Sequence, residues 1–235
     1  MAHTLTAMKD KIAKLLAKAE STDNPAEAET FTAAAERLML KLGIDAAELE
    51  HAGQVKPEQI VEVRRQYTGG YAVVMVPFVH GIALAYGNIN VLQAKRGTSR
   101  SVYLIGFESD VAMLCTLLDS VEQQSITAMR GWKRANPGPA DNARLVAARS
   151  FIRGFGSEVA DRLRALRVEV SSEASPGAAL VLVGKQERVD EWLKEAYPTL
   201  KAGRAASRNI DYAALFAGRV EGSKANLNNS KSVTR

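Results

Sequence analysis

Cysteine, histidine and aromatic side chains are scarce in this 235-residue chain, and each scarcity closes off a class of chemistry. A single cysteine, Cys115, excludes an internal disulfide framework and suits a reducing compartment. The three histidines, His3, His51 and His80, have no second His or Cys at metal-ligand spacing, and HExxH and CxxC motifs are absent. Neither a GxSxG elbow nor a Walker-type GxxxxGK[ST] loop occurs. Long apolar runs are also lacking: the most hydrophobic stretch, Tyr71 to Tyr86, is interrupted by Pro77, His80 and Gly81 and is short for a membrane span. With no apolar leader core at the N-terminus, the expectation is a cytoplasmic protein without membrane contact, metal or cofactor.

What is present is helical patterning with clear punctuation. Leu5, Met8, Ile12, Leu15, Leu16 and Ala19 recur at three- and four-residue steps and line one helical face. Ser21 to Pro25 then breaks the helix. Asn24 can cap the next one, Pro25 suits its first turn, and Glu27 and Glu29 favour its positive end. Ala34, Ala35, Leu38, Met39 and Leu42 continue a second apolar face up to Gly43, a left-handed stop. Asp45 and Glu48 form a capping-box pattern that opens a short third helix. Two helices joined by so short a turn lie antiparallel, and the unit is too small to be stable alone.

These residues also carry a resemblance. The KIxKLLAKAEST start, the NPxEAE turn and the AERLMxKxGID end, within Lys11 to Asp45, resemble the N-terminal module of a bacterial and phage family known as domain of unknown function 2786. The resemblance implies that a mixed α/β region follows the module. It implies no particular activity, because the family has none settled.

Downstream the hydrophobic period alternates. Residues 51–58 read as a polar linker, and Ile60 to Tyr67 as a strand with Val61, Val63 and Tyr67 on one face. The apolar segment ending near Gly87 is expected to be helical from Pro77. Asn88–Ala94 and Arg100–Phe107 are expected to form a hairpin around Arg96-Gly97-Thr98-Ser99. Two long helices follow, one carrying Val111, Leu114, Leu118, Val121 and Met129. The other spans Asn142 to Arg167 with Leu145, Ala148, Ile152, Phe155, Val159, Leu163 and Leu166 buried. Gly154 and Gly156 within it suggest close packing. Ala179–Val183 reads as a buried strand and Gln186–Ala196 as a helix. Asp211–Val220 reads as a short tail helix with Tyr212, Leu215 and Phe216 inward; Gly218 and Gly222 have helix-contact spacing, but in a tail they read as flexible positions. The predicted fold is α+β, with a helical hairpin module at 1–50, a mixed α/β domain with a small sheet at 59–198, and a flexible basic tail at 199–235.

Charge supplies the functional signal. Residues 199–235 hold seven Lys or Arg against two acids, which accounts for the whole net charge of +5 and leaves residues 1–198 balanced. Lys11, Lys14 and Lys18 form one basic stripe, and Arg130, Lys133 and Arg134 close a helix beside Trp132. Arg149, Arg153, Arg164 and Arg167 share the face of the second long helix opposite its core. Lys201, Arg204, Arg208, Arg219 and Lys224 belong to the tail. A charged stripe alone is usually a solvated face, but three stripes and a basic tail point to nonspecific binding of DNA or RNA. Glu108 and Asp110 follow a strand, where a metal nuclease could place carboxylates, although acids in a first helical turn are expected for dipole reasons alone. Glu187, Asp190 and Glu191 read as solvated. Catalytic residues are not assigned. The expected function is that of a non-enzymatic, nucleic-acid-associated accessory protein of a phage or mobile element. The alternatives are an adaptor or inhibitor that binds a host protein through the hairpin, and an enzyme of unrecognised type.

Overall fold

A computed structural model describes residues 58–137, 142–172, 176–200 and 209–225, together with individual positions between Lys11 and Leu38. The elements run β1 (Ile60–Tyr67), α1 (Ala72–Tyr86), β2 (Ile89–Arg96), β3 (Ser99–Phe107), α2 (Glu108–Ala135), α3 (Asn142–Ser172), α4 (Pro176–Ala196) and α5 (Tyr212–Ser223). Among the described residues the architecture is α+β, with five helices and a three-stranded antiparallel sheet ordered β1-β3-β2. Because β1 and β2 are both antiparallel to β3, they run parallel to each other, and α1 is the crossover between them.

Strand alternation divides the sheet into two packed faces. Val61, Val63 and Tyr67 of β1, Val91 of β2 and Val102 and Leu104 of β3 join the main core beneath α1, α2 and α3. On the opposite face, Ile105 and Phe107 are covered by Val189, Trp192 and Leu193 of α4. Burying both faces of β3 explains why this strand reads as a nearly continuous apolar run. The β2–β3 connection is the expected tight turn, with Gly97 at φ 58°.

α2 is fixed to β1 by a polar clamp. Arg65 Nη2 donates to Asp119 at 2.8 Å and to Glu122 at 3.1 Å, and Tyr67 Oη donates to Glu122 at 2.6 Å. Burial pushes the Glu122 carboxyl above its ordinary range, while Arg65 and the Tyr67 hydroxyl pull it back. Burial also works against the charged Arg65, and Glu122 and Tyr67 more than offset it. Cys115, half-buried on this helix, has its thiol pushed up by burial, as suits an inert core position.

α3 is the packing hub. Ala148, Ile152, Phe155, Val159 and Leu163 are buried as expected, and so are Phe151, Gly154, Gly156 and Ala160, because α3 has neighbours on two sides. A Cβ added to Gly156 would collide with the Phe78 ring of α1. One added to Gly154 would overlap the Leu215 carbonyl of α5, and one on Gly218 the Phe151 carbonyl of α3. The two helices run parallel with their backbones in contact.

Several expectations need correction. α1 begins at Ala72, not at Pro77; the proline lies inside the helix with its ring exposed, and the Gly69–Gly70 turn supplies the start. Ala179–Val183 is not a strand but part of α4. Its apolar run is too short to separate the two periods, and Gly184 costs a helix only about 1 kcal/mol. On α5 the inward residues are Ala214, Gly218 and Gly222, while Tyr212 and Phe216 are 76% and 68% exposed. Only small residues permit so close a helix approach, so Gly218 and Gly222 are contact positions. α5 is therefore docked structure within what was expected to be a flexible tail, capped by Asp211, which accepts from the Ala214 amide at 3.0 Å.

At Lys11, Lys14, Leu15, Lys18 and Ser21, and again at Glu27, Thr30, Phe31, Ala34, Arg37 and Leu38, the chain is helical, with Thr22 outside helix. Arg37 pairs with Glu169 of α3. The remaining expectations for residues 1–57, and Lys201, Arg204 and Arg208, lie outside the described residues.

The helix contact yields a paired test by chemical denaturation. Gly218→Ala should destabilise by about 1–3 kcal/mol through overpacking. Gly131→Ala, at a helical glycine with nothing within 4 Å of the added methyl, should stabilise by about 0.5–1 kcal/mol.

Candidate nucleic-acid interface

Two stretches of this chain are nearly free of acid. Val63 to Phe107 contains no Asp or Glu and five Lys or Arg; Gln123 to Ser157 contains only Asp141 against six. The fold brings the basic parts of both to one end. β1 finishes at Tyr67, which pairs with Arg100, and the β2–β3 turn lies just beyond, with Lys95 opposite Arg100 and Arg96 opposite Ser99. α2 starts at the other end of the sheet and passes Tyr67 at Glu122. At 1.5 Å per residue, its last thirteen residues extend roughly 20 Å past that point. They carry Arg130, Lys133 and Arg134.

α3 returns from the same end. Trp132 of α2 packs on Phe151 with ring centroids 5.4 Å apart, and Arg149 Nε donates to the Gly70 carbonyl at 2.8 Å. Arg144, Arg149 and Arg153 are thereby added to the basic end. Lys95, Arg96, Arg130, Lys133, Arg134, Arg144 and Arg153 have no ion-pair partner among the described residues. Arg149 and Arg153 also line a cavity of about 270 Å³ with Val73, Val74, Asn142, Val146, Ser150 and Asn209.

The opposite end is where the acids collect, and the cations there are already engaged. Arg164 pairs with Asp161 at 2.7 Å, Arg219 with Glu158 at 2.8 Å and Asp161 at 3.0 Å, and Lys224 with Glu221 at 2.9 Å. The Arg167 guanidinium lies over Gly87, where an added Cβ would overlap it. Burial lowers its pKa, with Asp110 and Tyr86 acting in the opposite sense. The expected four-arginine stripe on α3 therefore divides: Arg149 and Arg153 belong to the basic end, Arg164 and Arg167 to the acidic one. Lys11, Lys14 and Lys18 are all exposed.

Two of the carboxylates considered, Asp110 and Asp190, have structural partners. Asp110 and Lys185 are both buried and meet at 3.4 Å, with the Lys185 ammonium 4.8 Å from the Phe107 ring centroid. Burial raises the Asp110 pKa, and Lys185 opposes that shift. Asp190 accepts from Asn90 at 2.7 Å and from Gln186 at 2.8 Å, which ties α4 to β2 rather than leaving the side chain solvated. Glu108, Glu187 and Glu191 are exposed, and so is His80. Among the described residues no three His, Cys, Asp or Glu side chains converge as a metal site, and no helix is long and apolar enough to cross a membrane.

The sequence reading missed Lys95, Arg96, Arg100 and Arg144. The signal that would have found them is the absence of acid across two separate stretches, which a search for basic clusters along single helices does not register.

The buried pair is testable by thermal or chemical denaturation. Asp110→Asn should cost about 3–5 kcal/mol because it strands the Lys185 ammonium in the core. Asp110→Leu combined with Lys185→Met should recover most of that loss.

Comparison with known proteins reaches only the N-terminal module. No curated protein and no solved structure matches the chain. Residues 7–46 match the family described as "Protein of unknown function (DUF2786)", the family that the Lys11–Asp45 motifs resemble.

Proposed function

We propose that this protein binds nucleic acid, without sequence preference, through the basic end of the α+β domain. The observation that carries the reading is the charge segregation: unpaired Arg and Lys at one end, and ion-paired cations among acids at the other. A field of one sign over one surface attracts a polyanion in a way that the same charges interspersed with acids do not. The Trp132–Phe151 ring contact ties the last turns of α2, which carry Lys133 and Arg134, to α3. The basic segment ahead of α5, with Lys201, Arg204 and Arg208, and the Lys11, Lys14 and Lys18 stripe of the N-terminal hairpin would extend the contact. The role is non-enzymatic and cytoplasmic, that of an accessory protein of a phage or mobile element, in keeping with the family resemblance of the hairpin.

A second reading has its own support. Tyr212, Phe216 and Val220 recur at four-residue steps on the outer face of α5 and are 76%, 68% and 39% exposed. An apolar stripe of this kind favours an adaptor that docks on a host protein. Nuclease treatment separates the readings, since it abolishes association through nucleic acid and leaves protein docking intact.

Gel shifts with duplex DNA across a series of salt concentrations test the leading reading. Each phosphate contact contributes about −0.9 to the slope of log K against log salt. Changing Arg130, Lys133 and Arg134 together to Ala should flatten that slope by up to about 2.7. Changing Arg164 and Lys224 to Ala should leave it almost unaltered. No binding at low salt, or equal effects from the two sets, would favour the protein-docking reading.

A further inference from the structure

The cavity between α1, α3 and the segment leading into α5 has a lining out of keeping with a packing defect. It is half open and measures about 270 Å³, near the lower bound of about 300 Å³ for small-ligand pockets. Val73, Val74 and Val146 form an apolar wall; Asn142, Ser150 and Asn209 bring amide and hydroxyl groups; Arg149 and Arg153 bring two positive charges. No carboxylate lines it among the described residues. Among the described residues the acid nearest in sequence, Asp211, spends its carboxylate on capping α5.

The arginines are held in different ways. Arg149 is anchored through Nε to the Gly70 carbonyl, which leaves the rest of its guanidinium to face a ligand. Arg153, one helical turn further on, has no hydrogen-bond or ion-pair partner among the described residues. Half-buried and lining the same cavity as Arg149, it has its guanidinium available to an occupant of opposite sign. Ser150, buried between them, accepts from the Asp211 amide and so ties the wall of the cavity to the start of α5.

We infer that this cavity is a phosphomonoester subsite, with Arg149 and Arg153 on the phosphoryl oxygens and the valine wall against the attached sugar or base. Two guanidinium groups match a phosphomonoester, which carries about −1.5 to −2 charge near pH 7, and exceed the single charge of a backbone phosphodiester. Guanidinium also matches phosphate oxygens in bidentate geometry. The phosphomonoester can come from a free nucleotide or from the phosphorylated end of a strand. The second source rests on the nucleic-acid reading; the first does not.

The test is calorimetry on the full chain with two matched pairs of probes. Adenosine 5′-monophosphate is compared with adenosine, and a 5′-phosphorylated thymidine 12-mer with its 5′-hydroxyl form. Wild type should prefer each phosphorylated member by at least about tenfold, or about 1.4 kcal/mol. Arg153→Gln should erase the preference and Arg153→Lys retain part of it, with unchanged melting temperatures in the absence of probe. Discrimination between the nucleotides alone would identify a free nucleotide as the occupant, and discrimination between the strands alone a strand end. Equal affinity within both pairs, or a preference that survives Arg153→Gln, would overturn the inference. Equal but salt-sensitive binding of both strands would do so while leaving the polyanion reading intact.

Discussion

α3 lies against α1 and α5 as closely as it does only because Gly154 and Gly156 carry no side chains where the Leu215 carbonyl and the Phe78 ring come in. Much of the functional geometry follows from that constraint. The Phe78 contact seats the first turn of α1 beside Arg149 and Arg153, and the Leu215 contact draws the start of α5 up to Ser150. The cavity is the space left where the three segments meet. A bulkier residue at either glycine would push the helices apart and spread its walls.

Topology then makes a charge pattern out of a chain whose first 198 residues are neutral overall. The split β-α-β arrangement puts the β2–β3 turn and the C-terminal end of β1 at the same edge of the sheet. The Arg65–Glu122–Tyr67 clamp aims the last turns of α2 beyond that edge. Acids gather instead on α4 and the distal part of α3, where they are met by Asn90, Arg164 and Arg219. The functional distinction among the arginines is therefore one of neighbours: Arg164 has Asp161 one turn before it, and Arg153 has no carboxylate partner among the described residues.

Much of the sheet was legible because strand period, glycine turns and apolar faces agreed there. β1, the hairpin and the two long helices fall within a few residues of their expected limits. On α3, Ala148, Ile152, Phe155, Val159 and Leu163 are buried as expected and Leu145 and Leu166 only half-buried, and Gly154 and Gly156 have the expected packing role. What failed shares a cause. The Ala179–Val183 run and the α5 face were assigned from hydrophobicity alone, whereas the deciding factors were continuity with the helix that follows and the need for small residues at a backbone contact. The basic end was half legible: Arg130, Lys133, Arg134, Arg149 and Arg153 were identified from helix faces. Grouping them with Lys95, Arg96, Arg100 and Arg144, and separating them from Arg164, Arg167, Arg219 and Lys224, required the strand order and the ion pairs.

Mapping where a strand touches the protein addresses the central claim directly. Amide chemical-shift changes on titrating a single-stranded oligonucleotide at low salt should fall at Gly69–Ala72, the Arg96–Arg100 turn, Arg130–Asn136 and the first half of α3. Changes centred on α4 or on the Tyr212–Phe216 face of α5, with that basic end undisturbed, would contradict it.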